Sequence, residues 1–340
     1  MNKAYFKRVF FEEQALDYPV GKAMYDKLKV QGYDIGLLKS HNRVTGIPGK
    51  SARESFFQGK NTLVVGVRKT LDFAPCKPSA HFQLPLVTGC QGICEYCYLN
   101  TQLGKKPYTR VYVNIDEILA QAANYIQQRQ PETTVFEAAA TSDPVPVEPF
   151  SGALAQAINF FAHQEYAYLK FVTKFPSIDS LLDLDHRGRT RIRYSLNTDR
   201  IIHDYEHRTA VLDERIQALS RLLEHGYPGG VIIAPVILEG NWQEEYGHMM
   251  DKLAEALSAY RDIHFEVISH RFARKAKSNI LDVFPQTTLP MNEDKSRSYK
   301  FGQFGYGKLV YNKALLQEIK SFFTDAIGRH FPEAKIDYII

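Results

Sequence analysis

The feature that most limits what this chain can fold into is an alternation of strand-like and helix-like segments across its middle. Residues 133–139 read as strand and 150–164 as helix; 168–173 as strand and 177–184 as helix. Then come a strand at 191–196, a helix at 209–225, a strand at 231–238, a helix at 244–260 and a strand at 264–269. Strands separated by helices of this length imply βαβ units and a parallel sheet. The number of units favours an α/β fold of the partial (β/α)6, TIM-like barrel kind over a doubly wound sheet. Two further short strands, 63–67 and 110–113, and a helix at 115–128 precede the regular part. Residues 1–60 read as an amino-terminal extension, with a helix at 18–32 and a loop at 39–59. Residues 61–285 form the barrel, and 286–340 a β-hairpin at 299–311 followed by a helix at 313–330, the whole making one structural domain.

Composition bounds the class. Of 340 residues, 44% are hydrophobic and 24% charged, so the chain can bury a core without staples and is neither disordered nor fibrous. The net charge of +4 permits a nucleic-acid partner without requiring one. The first residues, MNKAYFKRVFFEEQ, mix charge with apolar groups and do not form a secretory signal. No apolar run is long enough to span a bilayer. These features lead us to expect a cytoplasmic protein, in which cysteines stay reduced.

Three of the four cysteines lie within GCQGICEYCYL, as C-x3-C-x2-C: Cys90, Cys94 and Cys97. Thiolates this close can surround one metal centre. Zinc normally takes four ligands, and Cys76 or His81 would have to complete such a site. Three thiolates alone suit a [4Fe–4S] cluster with one open iron. Cys76 itself reads as a buried free thiol.

With this spacing, placed after an early strand and before a run of βα units, the chain resembles the radical S-adenosylmethionine superfamily. The segments GCQGICEYCYLNTQLG, FEAAATSDP, FVTKF and RYSLNTDR narrow the resemblance to the spore photoproduct lyase family. It implies a [4Fe–4S] cluster and S-adenosylmethionine as cofactors. It also implies a 5′-deoxyadenosyl radical and a DNA repair reaction that splits the thymine dimer of spore DNA into two thymines. Double-stranded DNA carrying that lesion and an external one-electron reductant would be the partners of a monomer with no membrane association. The family carries a cysteine just before Thr-Ser-Asp-Pro, understood to donate a hydrogen atom to the product radical. Here that position is Ala140, so the resemblance implies that lesion and cofactor bind while the last hydrogen transfer is impaired.

Chemistry in such barrels sits after the carboxyl ends of strands. That rule selects Ser142, Asp143, Lys174, Ser195 and Asn197 as cofactor-binding candidates, with Ala234 offering backbone polar groups to an adenine. Ser142 and Asp143 can equally serve as loop caps. Tyr96 and Tyr98 flank Cys97, where the family resemblance implies a hydrogen-atom relay; an aromatic shield around a cluster is the other reading. For DNA, Arg271, Arg274 and Lys275 would share one face if helical. Phe301, Phe304, Tyr306 and Lys308 of the hairpin can meet bases and phosphates. A second basic cluster, 186–191, precedes a strand and falls on the opposite side.

Overall fold

The computed structural model describes residues 6–41, 43–301 and 307–340. The chain divides into two compact units: Met1–Gln91 with Gln102–Arg191, and Gly92–Thr101 with Ile192–Ile340.

The first unit contains two groups of strands. In one, Ile35–Leu38, Arg8–Glu12, Thr62–Gly66 and Thr109–Tyr112 run parallel in that order, with Val87–Thr88 antiparallel at the end. Thr62–Gly66 is buried along its length, which explains its unbroken apolar character. The amino-terminal segment therefore supplies two strands that the sequence reading left out. Charge disguised them. Glu12 is buried; it accepts from the Val67 amide at 3.1 Å and faces Arg110 at 3.2 Å and His41 at 3.0 Å. Gly66 lies against this carboxylate, which a Cβ would overlap. The loop expected at 39–59 is corrected too, since Ala52–Lys60 is a helix. Ser51 caps it by accepting from the Glu54 amide at 3.1 Å, and the Glu54 carboxylate accepts from the Lys50 amide at 2.8 Å, so S-x-x-E was a usable signal.

In the other group, Ala167–Thr173, Thr134–Glu137 and Ala80–Gln83 are parallel, and Pro75–Cys76 closes the edge antiparallel. Helix Ile115–Arg129 precedes Thr134–Glu137. The helix expected at 150–164 is two pieces, Glu148–Ser151 and Ala153–Ala162, separated by Gly152 in the left-handed region. The one expected at 177–184 is a single turn, Asp179–Leu182. Phe136 and Phe161, 5.2 Å apart, lie in the core between sheet and helix.

In the second unit, the end of Thr190–Leu196 pairs with Gly229–Val236. Ile263–Ser269 and the carboxyl-terminal Lys335–Ile339 follow, all parallel. Helices Leu212–Glu224, Trp242–Ala256 and Lys313–His330 accompany them. Both units thus show the expected alternation of parallel strands and helices. The last strand was missed because it follows the hairpin and helix. The hairpin itself is Arg297–Phe301 against Gly307–Tyr311. Among the described residues, no helix is long and apolar enough to cross a membrane.

Candidate functional site

In the first unit, residues around Cys90 are fixed from three directions. Gly89 has φ +82°, and a Cβ there would run into the Tyr108 carbonyl, so only glycine fits. The Gly89 amide donates to Thr141 O at 2.8 Å, and Gly89 bridges Ser142 as a parallel pair. The Lys60 ammonium donates to Cys90 O at 2.9 Å. The first cysteine is thereby tied to the Thr-Ser-Asp-Pro segment. Asp143 is buried; its carboxylate accepts from the Thr173 hydroxyl at 2.9 and 3.1 Å and the Lys174 amide at 2.9 Å. Burial pushes its pKa up to about 6, and these donors hold it back from rising further. Ser142 Oγ donates to Ala138 O at 3.4 Å. The structure thus gathers Ser142, Asp143 and Lys174 at the carboxyl ends of two neighbouring strands. A cavity of about 130 Å³ opens nearby, with Ala74, Gln83, Glu137, Ala138 and Ala140 among its walls.

The rest of the cysteine segment belongs to the second unit. Ile93–Cys94 pairs antiparallel with Glu206–His207, placing Cys94 opposite Glu206. The Cys97 amide donates to Cys94 O at 3.1 Å, and Asn100 Nδ2 donates to the same oxygen at 2.9 Å. His207 Nε2 stands 2.9 Å from Glu95. The Tyr96 hydroxyl donates to the buried Glu206 carboxylate, and burial with that neighbouring charge raises its pKa well above the ordinary value. Glu206 is paired with Arg215 at 2.6 Å. The fully buried Arg215 also donates to Ser195 O at 2.8 Å and Ala210 O at 2.9 Å. Asn197 is spent internally: Nδ2 donates to Pro235 O at 2.9 Å, and Oδ1 accepts from the Tyr246 hydroxyl at 2.8 Å. Ala234 is half-buried beside Pro235, and Tyr98 is exposed. Glu206 and Arg215 were missed in the sequence; a lone arginine at an apolar helix position was the only hint.

All four thiols are free of disulfides. Gln91 is 1% exposed, yet neither polar atom of its side chain has a partner among the described residues; Glu95 Oε2 and Asn100 Oδ1 share that condition. Buried polar atoms are rarely left unmet, because each costs about 1–3 kcal/mol. Gln91 Nε2 is a donor of the kind that meets the sulfurs of an iron–sulfur cluster, so the segment's chemistry fits one. Among the described residues, no three His, Cys, Asp or Glu side chains converge as ligands of a single metal ion. In a [4Fe–4S] cluster each thiolate meets its own iron, so convergence on one point is not required.

Arg271 does not share a face with Arg274 and Lys275. It precedes helix Arg274–Val283 and is half-buried, which corrects that expectation. Arg274 and Lys277 both contact Glu293, at 2.9 and 3.2 Å, and Lys275 is exposed. In the hairpin, Phe301 is 74% exposed and packs edge-on against Tyr299 at 5.4 Å. Lys300 stands directly opposite Lys308. Phe304 and Tyr306 lie outside the described residues.

His270 anchors this region. It is buried, and Arg297 donates to its carbonyl at 2.7 Å and to Nδ1 at 3.2 Å. Burial, then the Arg297 and Arg271 charges, push its pKa down to about 3. Unfolded chain binds the proton first as pH falls, so this contribution is full above about pH 6.5 and is lost below it. The histidine should cost roughly 2 kcal/mol of stability between pH 7 and pH 5. Thermal melts of wild type and His270→Gln check this; the variant's slope should be shallower, and parallel slopes would refute it.

Three cysteines spaced C-x3-C-x2-C, in a chain of alternating parallel strands and helices, carry the pattern of a radical S-adenosylmethionine enzyme. The spore photoproduct lyase family model matches residues 5–340, and the chain belongs to that family. It is 52% identical to spore photoproduct lyase of Clostridium acetobutylicum over 98% of this chain and 99% of the relative. Identity to the Bacillus subtilis protein of that name is 44%, over 97% of each chain. A solved spore photoproduct lyase complexed with dinucleoside spore photoproduct superposes with a TM-score of 0.94 at 43% identity, covering 98% of both chains. A double mutant of the enzyme, with alanine at 140 and cysteine at 76 in its own count, has bound AdoMet and the dinucleoside. It superposes with a TM-score of 0.95 at 43% identity over 98% of this chain and 99% of that one. The α/β fold expected from the alternation is that of these structures. The chain is a radical S-adenosylmethionine carbon–carbon lyase of DNA repair, and its cofactors are a [4Fe–4S] cluster and S-adenosylmethionine.

Proposed function

We propose that Cys90, Cys94 and Cys97 ligate the cluster, and that residues at the neighbouring strand ends hold S-adenosylmethionine. The reading is carried by a three-cysteine segment with orphaned buried polar atoms, in a chain whose family match spans residues 5–340. When bound, the two cofactors supply a carbon-centred radical that removes one hydrogen atom from the lesion. The methylene bridge between its thymines then breaks. Lys174 and Ser195 offer polar groups to the cofactor's carboxylate and ribose, and Ser142 adds a hydroxyl. Asp143 and Asn197 act as positioning residues, because their polar atoms are spent on Thr173, Lys174, Pro235 and Tyr246. The Ala234 backbone faces the adenine. Tyr98, with its exposed phenol, suits the hydrogen-atom relay; Tyr96, fastened to Glu206, suits holding the segment in shape.

Lesion-bearing DNA lies along the hairpin and the start of helix Arg274–Val283. Arg271, Arg274, Lys275 and Lys308 meet phosphates, while Phe301 wedges beside the extruded dimer. Like charges directly opposed on a hairpin are unfavourable, so the Lys300–Lys308 pair supports a surface built for an anion. An external reductant supplies one electron to a monomer in the cytoplasm.

The test is turnover. Protein reconstituted anaerobically with iron and sulfide should be brown and, with reductant and S-adenosylmethionine, should consume dinucleoside spore photoproduct. A colourless protein with stoichiometric zinc and an untouched dinucleoside would reject the reading.

A further inference from the structure

We propose that Arg297 sets the hairpin on the carboxyl ends of the sheet strands, as a positioning residue for lesion-bearing DNA. This rests on the function proposed above, in which the hairpin holds the DNA, and adds what holds the hairpin. Every residue involved belongs to the second unit.

Arg297 opens the strand Arg297–Phe301 and is the one buried residue in it. Arginine is almost never fully buried unless its charge is met. Here the guanidinium is met by neutral groups and rings. Nη1 donates to His270 O at 2.7 Å, and Nη2 donates to Pro290 O at 3.1 Å and His270 Nδ1 at 3.2 Å. Its centre lies 3.7 Å from the centroid of the Tyr311 ring, its partner on the opposite strand, and 5.4 Å from that of Phe272. These donors face inward, so Arg297 is not placed to meet a phosphate as an exposed lysine would be.

Its partners belong to the ends of sheet strands. His270 directly follows Ile263–Ser269, and its amide donates at 2.9 Å to the carbonyl of Val236, the last residue of Gly229–Val236. The Tyr311 hydroxyl accepts from the Leu238 amide at 2.9 Å, two residues past that same strand. Phe272 and Leu309 exchange backbone bonds of 3.1 and 2.8 Å beside them. Gly229–Val236 carries Ala234, whose backbone faces the adenine on the same reading. One guanidinium thus joins the root of the DNA-holding hairpin to the strand ends that hold the cofactor. The other four residues of Arg297–Phe301 are exposed, so that strand's burial is concentrated at its root. Phe301 stands four rungs further out, roughly 13 Å along the ladder. A tilt of about 10° at the root would move that ring by roughly 2 Å, and misplacement on the ångström scale is costly to a reacting geometry. Lysine would keep the charge but offers neither the planar fork nor the flat face that stacks on Tyr311.

The experiment compares wild type, Arg297→Lys and Tyr311→Phe, each as reconstituted holoenzyme with iron content and far-UV circular dichroism measured first. The lesion is supplied within a duplex, where it must be extruded and held, and as the free dinucleoside, which needs no wedge. Arg297→Lys should raise the Kd for lesion-bearing duplex, read by fluorescence anisotropy, and the KM for it by about tenfold. Its kcat on the dinucleoside should stay within about twofold of wild type. Tyr311→Phe keeps the ring under the guanidinium but loses the acceptor of the Leu238 amide, and should lose about threefold on the duplex alone. Were Arg297 only a contributor to stability, turnover of both substrates would fall together; were it a phosphate contact, lysine would serve in its place. Duplex binding by Arg297→Lys equal to wild type, or parallel losses on both substrates, would overturn the assignment while the lyase reading stands. Should Arg297→Lys fail to fold or load iron, Tyr311→Phe decides by the same split. A wild type that leaves the dinucleoside untouched would sink the underlying function itself.

Discussion

Anaerobically reconstituted protein with Cys94→Ala is expected to be colourless, to retain almost no iron or sulfide, and to show no lesion turnover. Cys90→Ala and Cys97→Ala should behave alike. On the ligation proposed above, three thiolates hold three irons and leave the fourth open, and two thiolates would leave a cluster that solvent strips. Far-UV circular dichroism should remain close to wild type, since Ile93–Cys94 stays paired with Glu206–His207 through backbone bonds that alanine preserves. Cys76→Ser should keep the colour, which separates the cluster thiols from the fourth. Iron retention near wild type in all three alanine variants would remove the assignment.

Arg215→Met should cost about 3–5 kcal/mol and lower the Tm by roughly 5 °C, measured by calorimetry on the reconstituted protein. The cost comes from what is left behind. Glu206 and Arg215 are both fully buried at their side chains and stand 2.6 Å apart. Without the guanidinium, Glu206 keeps the Tyr96 hydroxyl as a donor but loses its counter-charge, and the Ser195 and Ala210 carbonyls lose theirs. The pair itself need not be a net stabiliser, because burying both ions is expensive. Combining Arg215→Met with Glu206→Gln should therefore recover part of the loss, a coupling that a double-mutant cycle measures. Strict additivity would contradict this account. Iron content should fall in the single variant as well, since Glu206 lies opposite Cys94.

What could be read from the sequence was local. The βα alternation across 133–269 shows as periodicity, and the three cysteines sit within one short segment, so both were visible without knowing the fold. Strand Arg8–Glu12 was hidden because its glutamate is buried with Arg110 and His41, partners far along the chain. The pairing of Ile93–Cys94 with Glu206–His207 is equally non-local, and it decides that Glu206 and Arg215 matter. Arg271 was misplaced because helix Arg274–Val283 begins three residues later than the basic run. Cys76 reads as buried because nothing in its own neighbourhood reveals that the chain there is an edge strand on Ala80–Gln83, where it is half-buried.

The opposed lysines of the hairpin have one more consequence. Lys300 and Lys308 repel across the ladder, so added salt screens them and should tighten the free hairpin. The same salt weakens phosphate contacts by competing with counterion release. Ionic strength thus pulls this element two ways, stiffening it as it loosens its hold on DNA. Bound phosphates do what salt does to the hairpin, at the place where the lesion must be held open. Phe301, the most exposed phenylalanine among the described residues, is then held most firmly when nucleic acid is already there.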